Sequence, residues 1–299
     1  MFIILHKKTF FVLTGIFVFL AVCSMFYFGF TAGVDFKGGS IAEIVYPQGR
    51  PDKSLVEVKL SEVFEKNYSL RSSGEDGFIL RTETLSADEH RDILKGLSLG
   101  GEKEIVEERF SSIGPTIGKE ARTKALLAVG VVLAVIVIFI TFAFRKISNP
   151  VSSWKYGLVT ILTLFHDILV PSGAYALYGK ITGAEIDVLF VMGLLAILGY
   201  SVNDTIIIFD RVRENLKKNE EMKSAESFSH AVGRSLSETY GRSINTSLTT
   251  LLVLLALFFL GGESTKSFVF LLTLGVIAGT YSSLFLAAPL LTLLEKKSV

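Results

Sequence analysis

Two carboxylates stand in stretches of this 299-residue sequence that are otherwise apolar enough to cross a membrane. Asp204 follows Asn203 inside the run 198–209, with Ser201 three residues before it, and Asp167 follows His166 inside the run 156–178. An Asp at the centre of a spanning helix costs about 2.5–3.5 kcal/mol on insertion scales, so a position that Leu or Val would fill more cheaply is a candidate for function. A third ionisable group, Arg242, opens the last-but-one apolar run and is followed by Ser243, Asn245, Thr246, Ser247, Thr249 and Thr250. Low dielectric favours a neutral carboxyl, and a nearby guanidinium, which keeps its charge, favours the carboxylate. If the separation of Asp204 and Arg242 changes with conformation, proton binding is coupled to motion. A static buried pair that fixes helix register fits the same residues. His166-Asp167 is the second titrating candidate, because histidine ionises nearest neutral pH, although a satisfied interhelical hydrogen bond also accounts for it. Backbone bonding or packing accounts equally for the hydroxyls after Arg242.

The elements that would position these groups are membrane spans. Half of the residues are apolar, and six runs reach the ~20 residues needed to cross the hydrocarbon: 9–30, 125–144, 156–178, 186–209, 244–260 and 268–294. The first exceeds the apolar core of a cleaved signal peptide and lacks an Ala-x-Ala site, so it is expected to stay as an anchor. Lys7, Lys8, Arg145, Lys146, Lys155, Lys296, Lys297 and the Lys/Arg-rich segment 210–243, expected as a loop, fall on one side, against Lys180 and Lys266 in the short loops of the other. Both termini are therefore expected in the cytoplasm. On a helix Gly193, Ile197, Tyr200, Ser201, Asp204 and Arg211 share a narrow face, which should look into a bundle. Gly275, Gly279 and Ser283 recur every fourth residue, a pattern that lets another helix approach closely.

A net charge of +1 gives no reason to expect nucleic acid, and topology explains the basic segment, with lipid headgroups as a lesser partner. Cys23 is alone and the four histidines are scattered, so neither a disulfide framework nor a metal or other cofactor is expected.

One extramembrane segment is large. Residues 31–122 read as strand (40–46), helix (54–66), short strand (68–71), a Ser72-Ser73-Gly74 turn, strand (78–84), a helix to Leu97 opened by the capping box Ser86/Glu89, and a last strand (104–110). The order βαββαβ is ferredoxin-like. The expected fold is thus an α-helical polytopic membrane protein in three parts: span one in 1–30, an extracytoplasmic α+β domain in 31–122, and a five-helix bundle in 123–299. Two glycine-containing segments bracket the domain, Gly33-Val34-Asp35-Phe36-Lys37-Gly38-Gly39 and Ile113-Gly114-Pro115-Thr116-Ile117-Gly118. They read as coupling hinges or as tight turns. No Gly-Lys-Ser/Thr follows Gly38-Gly39, which excludes a phosphate loop.

These two glycine motifs, His166-Asp167, the run Gly199-Tyr200-Ser201-Val202-Asn203-Asp204-Thr205 continuing to Phe209-Asp210-Arg211-x-Arg213-Glu214-Asn215, and Arg242-Ser243-Ile244-x-Thr246-Ser247-Leu248-Thr249-Thr250 together resemble the SecF side of the SecD/SecF family. That family lies within the resistance-nodulation-division superfamily and assists the bacterial Sec channel. The resemblance covers essentially the whole chain. It implies a non-enzymatic inner-membrane subunit that, with SecD, the SecY-E-G channel and YajC, uses a proton or sodium gradient to help move unfolded polypeptide outward. Asp204 matches the family's acidic proton-pathway residue and Arg242 the basic residue proposed to gate it. Ser201, Asn203, His166, Asp167, Asn245, Thr246 and Thr249 are carried as accessory. An efflux component for small molecules or lipids, of the same superfamily, is the alternative.

Overall fold

The computed structural model describes residues 2–145 and 151–295. Lys146, Lys296 and Lys297, used above for orientation, lie outside the described residues. In chain order the elements are α1 (Phe2–Leu5), α2 (Lys7–Phe28), α3 (Val34–Lys37), β1 (Gly39–Val45), α4 (Lys53–Val63), β2 (Tyr68–Ser73), β3 (Gly77–Thr82), α5 (Ala87–Leu97), β4 (Val106–Ile113), α6 (Pro115–Ala143), α7 (Ser153–Thr182), α8 (Val188–Glu221), α9 (Phe228–Leu260), α10 (Glu263–Ser282) and α11 (Ala288–Leu293). A π-helical turn, Ser283–Ala287, joins α10 to α11. Among the described residues, six helices are long and apolar enough to span a membrane, the last being Glu263–Leu293. The chain is a multi-pass membrane protein.

The α+β unit comprises residues 31–126 together with 185–188. Its antiparallel sheet has the order β2-β3-β1-β4, which confirms the βαββαβ reading. Alternation along the strands sends Ile44, Tyr46, Leu70, Phe78 and Leu80 to one face, where Val56, Leu60, Ile93 and Leu97 of α4 and α5 cover them. The capping box is present: Ser86 Oγ accepts from the Glu89 amide, and Glu89 accepts from that of Ser86. Lys66 and then Ser86 hold the Glu89 carboxyl down at about 2. One turn moves: β2 continues through Ser73, and the hairpin tip is Gly74-Glu75-Asp76, with Gly74 at φ +57°. Serine tolerates the ladder, whereas the left-handed tip needs glycine.

Two boundaries also differ from the sequence reading. The division at 122/123 falls inside α6, because Lys119, Glu120 and Lys124 are good helix formers and Glu120–Lys124 make an i,i+4 pair at 2.7 Å. The basic segment 210–243 is mostly helix: α8 runs on to Glu221 and α9 starts at Phe228. One pair at helical spacing and several among α8, the start of α9 and the segment between them support these polar extensions. Arg211 meets Glu214 and Glu238, each at 2.5 Å, Asn215 donates to Ser235 and Glu238 at 2.9 Å, and Arg234 holds Glu226 at 2.7 Å.

The helical unit comprises residues 1–30, 127–184 and 189–299. One core cluster there gathers Ile140, Tyr156, Phe209, Val232, Leu284 and Leu291 from α6 to α11.

Candidate functional site

Along α8, Gly193, Ile197, Ser201, Asp204 and Ile208 are buried while Met192, Ala196, Gly199 and Asn203 are exposed, as expected of one inward stripe on a helix. The small residues of the last span lie against this stripe. A Cβ on Gly275 would overlap Ile197, one on Gly279 would stand 3.0 Å from Cβ of Ser201, and Ser283 Oγ meets Thr205 Oγ1 at 3.0 Å. The every-fourth-residue pattern thus finds its partner, every fourth residue of α8.

That close approach brings three side chains onto one carboxylate. Asp167, 0% exposed, takes His166 Nδ1 on Oδ1 at 2.8 Å, while Oδ2 accepts from Ser282 Oγ at 2.8 Å and from Ser201 Oγ. Helices α7, α8 and α10 are therefore pinned at a single group. His166 Nε2 is buried without a hydrogen-bond partner among the described residues. The π turn begins one residue after Ser282, a type of irregularity found often at functional sites. A second polar junction lies beside it, where Ser247 Oγ of α9 accepts from Tyr200 OH at 3.3 Å and from Thr280 Oγ1 at 2.6 Å.

Asp204 is treated differently. It is 2% exposed, and its Oδ2 has no hydrogen-bond partner among the described residues. The groups within electrostatic reach come from α9: Ser243, whose hydroxyl is likewise buried and unpartnered, and the charge of Arg242. No ion pair joins Arg242 to Asp204 among the described residues, and Arg242 is exposed. Successive helical residues point about 100° apart, so turning Ser243 inward turns Arg242 outward. Asn203, Asn245, Thr246 and Thr249 are exposed as well. Of the accessory residues, then, Asp167, His166 and Ser201 come together, whereas Asn203 on α8 and Asn245, Thr246 and Thr249 on α9 are exposed, as Arg242 is. The sequence reading missed Ser282 and Thr280; their position beside the Gly275-Gly279-Ser283 stripe was the available signal.

The glycine segments are built within the α+β unit. Residues 34–37 form the helical turn α3, so only its glycine edges have turn geometry, with Gly38 at φ +81° and Gly39 at +129°. A Cβ on Gly38 would come within 2.8 Å of Pro115 N and Cα, and one on Gly118 within 2.9 Å of Gly38 N. The two segments interlock through bare glycine faces. Phe36 is buried, and Asp35 is buried with Oδ2 accepting from the Val188 amide at 3.0 Å. Nearby, burial lowers the Arg81 guanidinium and raises the Glu185 carboxyl, each opposed by its partner 3.3 Å away.

Residues 95–297 match the family of protein export membrane proteins SecD/SecF, C-terminal region. The chain is 36% identical over 309 residues to the protein translocase subunit SecF of Thermobaculum terrenum, covering 99% of this chain and 94% of that one. The chain belongs to the SecD/SecF family of protein-export membrane proteins. It is also 33% identical to the protein translocase subunit SecDF of Thermus thermophilus, over 91% of this chain and 35% of that longer protein. A crystal structure of SecDF, described as a translocon-associated membrane protein, aligns with 97% of this chain at a TM-score of 0.79 and 29% identity. The chain spans 38% of that structure. Membership in this family agrees with the resemblance drawn from the motifs, and the efflux alternative is not favoured.

Proposed function

We propose that this chain is the SecF-type part of an ion-gradient-driven device for protein export, working with a SecD-type partner beside the SecY-E-G channel and YajC. Both termini lie in the cytoplasm, the α+β unit works on the outer side, and the role is mechanical rather than catalytic. The observation that carries the reading is the contrast between the two buried carboxylates. Asp167 has its acceptors filled by three side chains, whereas Asp204 keeps a buried oxygen with none among the described residues. An oxygen of this kind is met by a proton, a cation, an ordered water or a donor that arrives by motion, since leaving it unmet costs several kcal/mol. Asp204 is the coupling group, Ser243 and Arg242 are the donors that approach and withdraw, and Asp167 with His166, Ser201 and Ser282 fixes the helices around which they move.

A second feature supports the partnership. Asn203, Arg242, Asn245, Thr246 and Thr249 are exposed on this chain within or at the edge of apolar runs of spanning length, and polar side chains facing lipid are costly. Partner helices laid over those side chains would remove the cost and complete an ion path.

The test is polypeptide translocation in proteoliposomes holding the chain with its SecD-type partner and the channel, with proton and sodium gradients imposed separately. Asp204→Asn keeps the volume and is expected to accumulate and associate normally while losing the gradient-driven component. Unchanged gradient-driven translocation by that variant overturns the reading.

A further inference from the structure

Within the α+β unit, a four-residue piece of chain from far along the sequence is held by three kinds of contact. Ile186 donates its amide to Thr31 O and accepts from the Gly33 amide, both at 2.8 Å, so that 31–33 and 186 form a parallel bridge. Glu185 faces Arg81 of β3 at 3.3 Å. Asp35, 153 residues away in sequence, then receives the Val188 amide on Oδ2 at 3.0 Å.

Val188 is the first residue of α8, and its N–H is one of the four that a helix start leaves without an internal acceptor. An anion there satisfies the amide and the positive end of the helix dipole. The residue just before the helix, Asp187, is itself of a favoured capping type, yet this amide goes to a carboxylate on α3. Asp35 is fixed in turn: α3 lies between the 31–33 bridge and Gly38, which is packed against Pro115 and Gly118. From Val188, α8 continues without a break to Glu221 and carries Ser201 and Asp204.

We propose that Asp35 is a positioning residue whose carboxylate clamps the first turn of α8 to the α+β unit, so that movement of α8 reaches that unit through residues 185–188. The clamp stays closed throughout the working cycle. The proposal rests on the export reading above, and it adds a mechanical route distinct from the direct connections through α2 and α6.

The geometry supplies its own lock. A Cβ built on Gly33 stands 3.5 Å from Cβ of Asp187, within the span of a disulfide, and Gly33 has φ −74°, which any residue adopts. With Cys23 replaced by Ser, the pair Gly33→Cys/Asp187→Cys closes the clamp covalently in the full chain with its partner. Asp35→Ala is expected to raise amide exchange at residues 188–191 roughly tenfold, the scale of one lost helix cap. It should also lower gradient-driven translocation at least fivefold while partner association is unchanged. Asp35→Asn, which keeps an acceptor, retains most of both. The oxidised cysteine pair restores translocation to Asp35→Ala and reduction removes it again, while partner association stays unchanged throughout.

Native-level translocation by Asp35→Ala, or failure of the oxidised pair to rescue it, overturns the proposal. Should Asp35→Ala not accumulate, the oxidised pair in the otherwise native chain decides: full translocation supports a permanently closed clamp, and its loss overturns it. If the native chain itself shows no response to either gradient, the export reading fails, and exchange at 188–191 still reports separately whether Asp35 holds the turn.

Discussion

Removing the acceptor at Asp167 should loosen the bundle by an amount that its three partners set. Asp167→Ala strips the acceptor from Ser201 Oγ, Ser282 Oγ and His166 Nδ1 at once. Side-chain hydrogen bonds within membrane bundles average about 0.6 kcal/mol and reach about 1.7, so three of them imply a loss of about 2 kcal/mol, with about 5 as the ceiling. Two kcal/mol corresponds to a fall in melting temperature of roughly 4–8 °C by soluble-domain scaling. Asp167→Asn should cost under about 1 kcal/mol, because the amide oxygen still accepts from His166 and the two serine hydroxyls can rotate to accept from the amide N–H groups. Ser201→Ala and Ser282→Ala should each cost about 0.6 kcal/mol. The assay is thermal unfolding of the purified chain in one detergent, with double-mutant cycles of Asp167 against each serine. A native melting temperature for Asp167→Ala refutes the hub. Equal losses for Ala and Asn would refute the reasoning differently, by showing that charge and not acceptor count holds the helices.

Two further outcomes follow from the packing. Gly275→Ala places a Cβ inside Ile197 and should cost about 1–3 kcal/mol, recovered in part by Ile197→Val, whereas Gly199→Ala, with nothing within 4 Å, should be neutral or stabilising by up to about 1 kcal/mol; the same melts compare them. Burial pushes the Tyr46 hydroxyl up to about 12 from an ordinary value of 10.0. A folded group that holds its proton more tightly than the unfolded one contributes its stability in full below pH 10 and loses it as pH rises toward 12. Tyr46→Phe should therefore lack that part of the alkaline decline, while losing about 1 kcal/mol at neutral pH with the 2.8 Å bond to Leu97 O; melts of both chains between pH 8 and 11.5 measure the difference.

Much of the fold was legible because its signals are local. Apolar runs of spanning length marked six helices, strand alternation and the Ser86/Glu89 box marked the α+β unit, and the cost of a carboxylate in hydrocarbon marked Asp204 and Asp167. The site was legible only in part. Arg242 sat beside Asp204 as a plausible partner by type, yet its place on α9 points it outward, and the neighbouring Ser243 turns in instead. Ser282 was marked only by its place beside the Gly275-Gly279-Ser283 stripe.

What the sequence determined by itself is which segments are helical or extended, which faces are apolar, and where an ionisable group stands in an apolar run. Those properties depend on residue spacing within a few turns. The tertiary structure alone decided that the Gly275-Gly279-Ser283 stripe meets Ile197, Ser201 and Thr205, that Asp167 is filled while Asp204 keeps an unmet oxygen, and that Asp35 holds an amide 153 residues away. Each of these requires two distant helices or segments to approach at one register. Helix crossings follow from how whole surfaces fit together, and no local pattern of residues contains that fit.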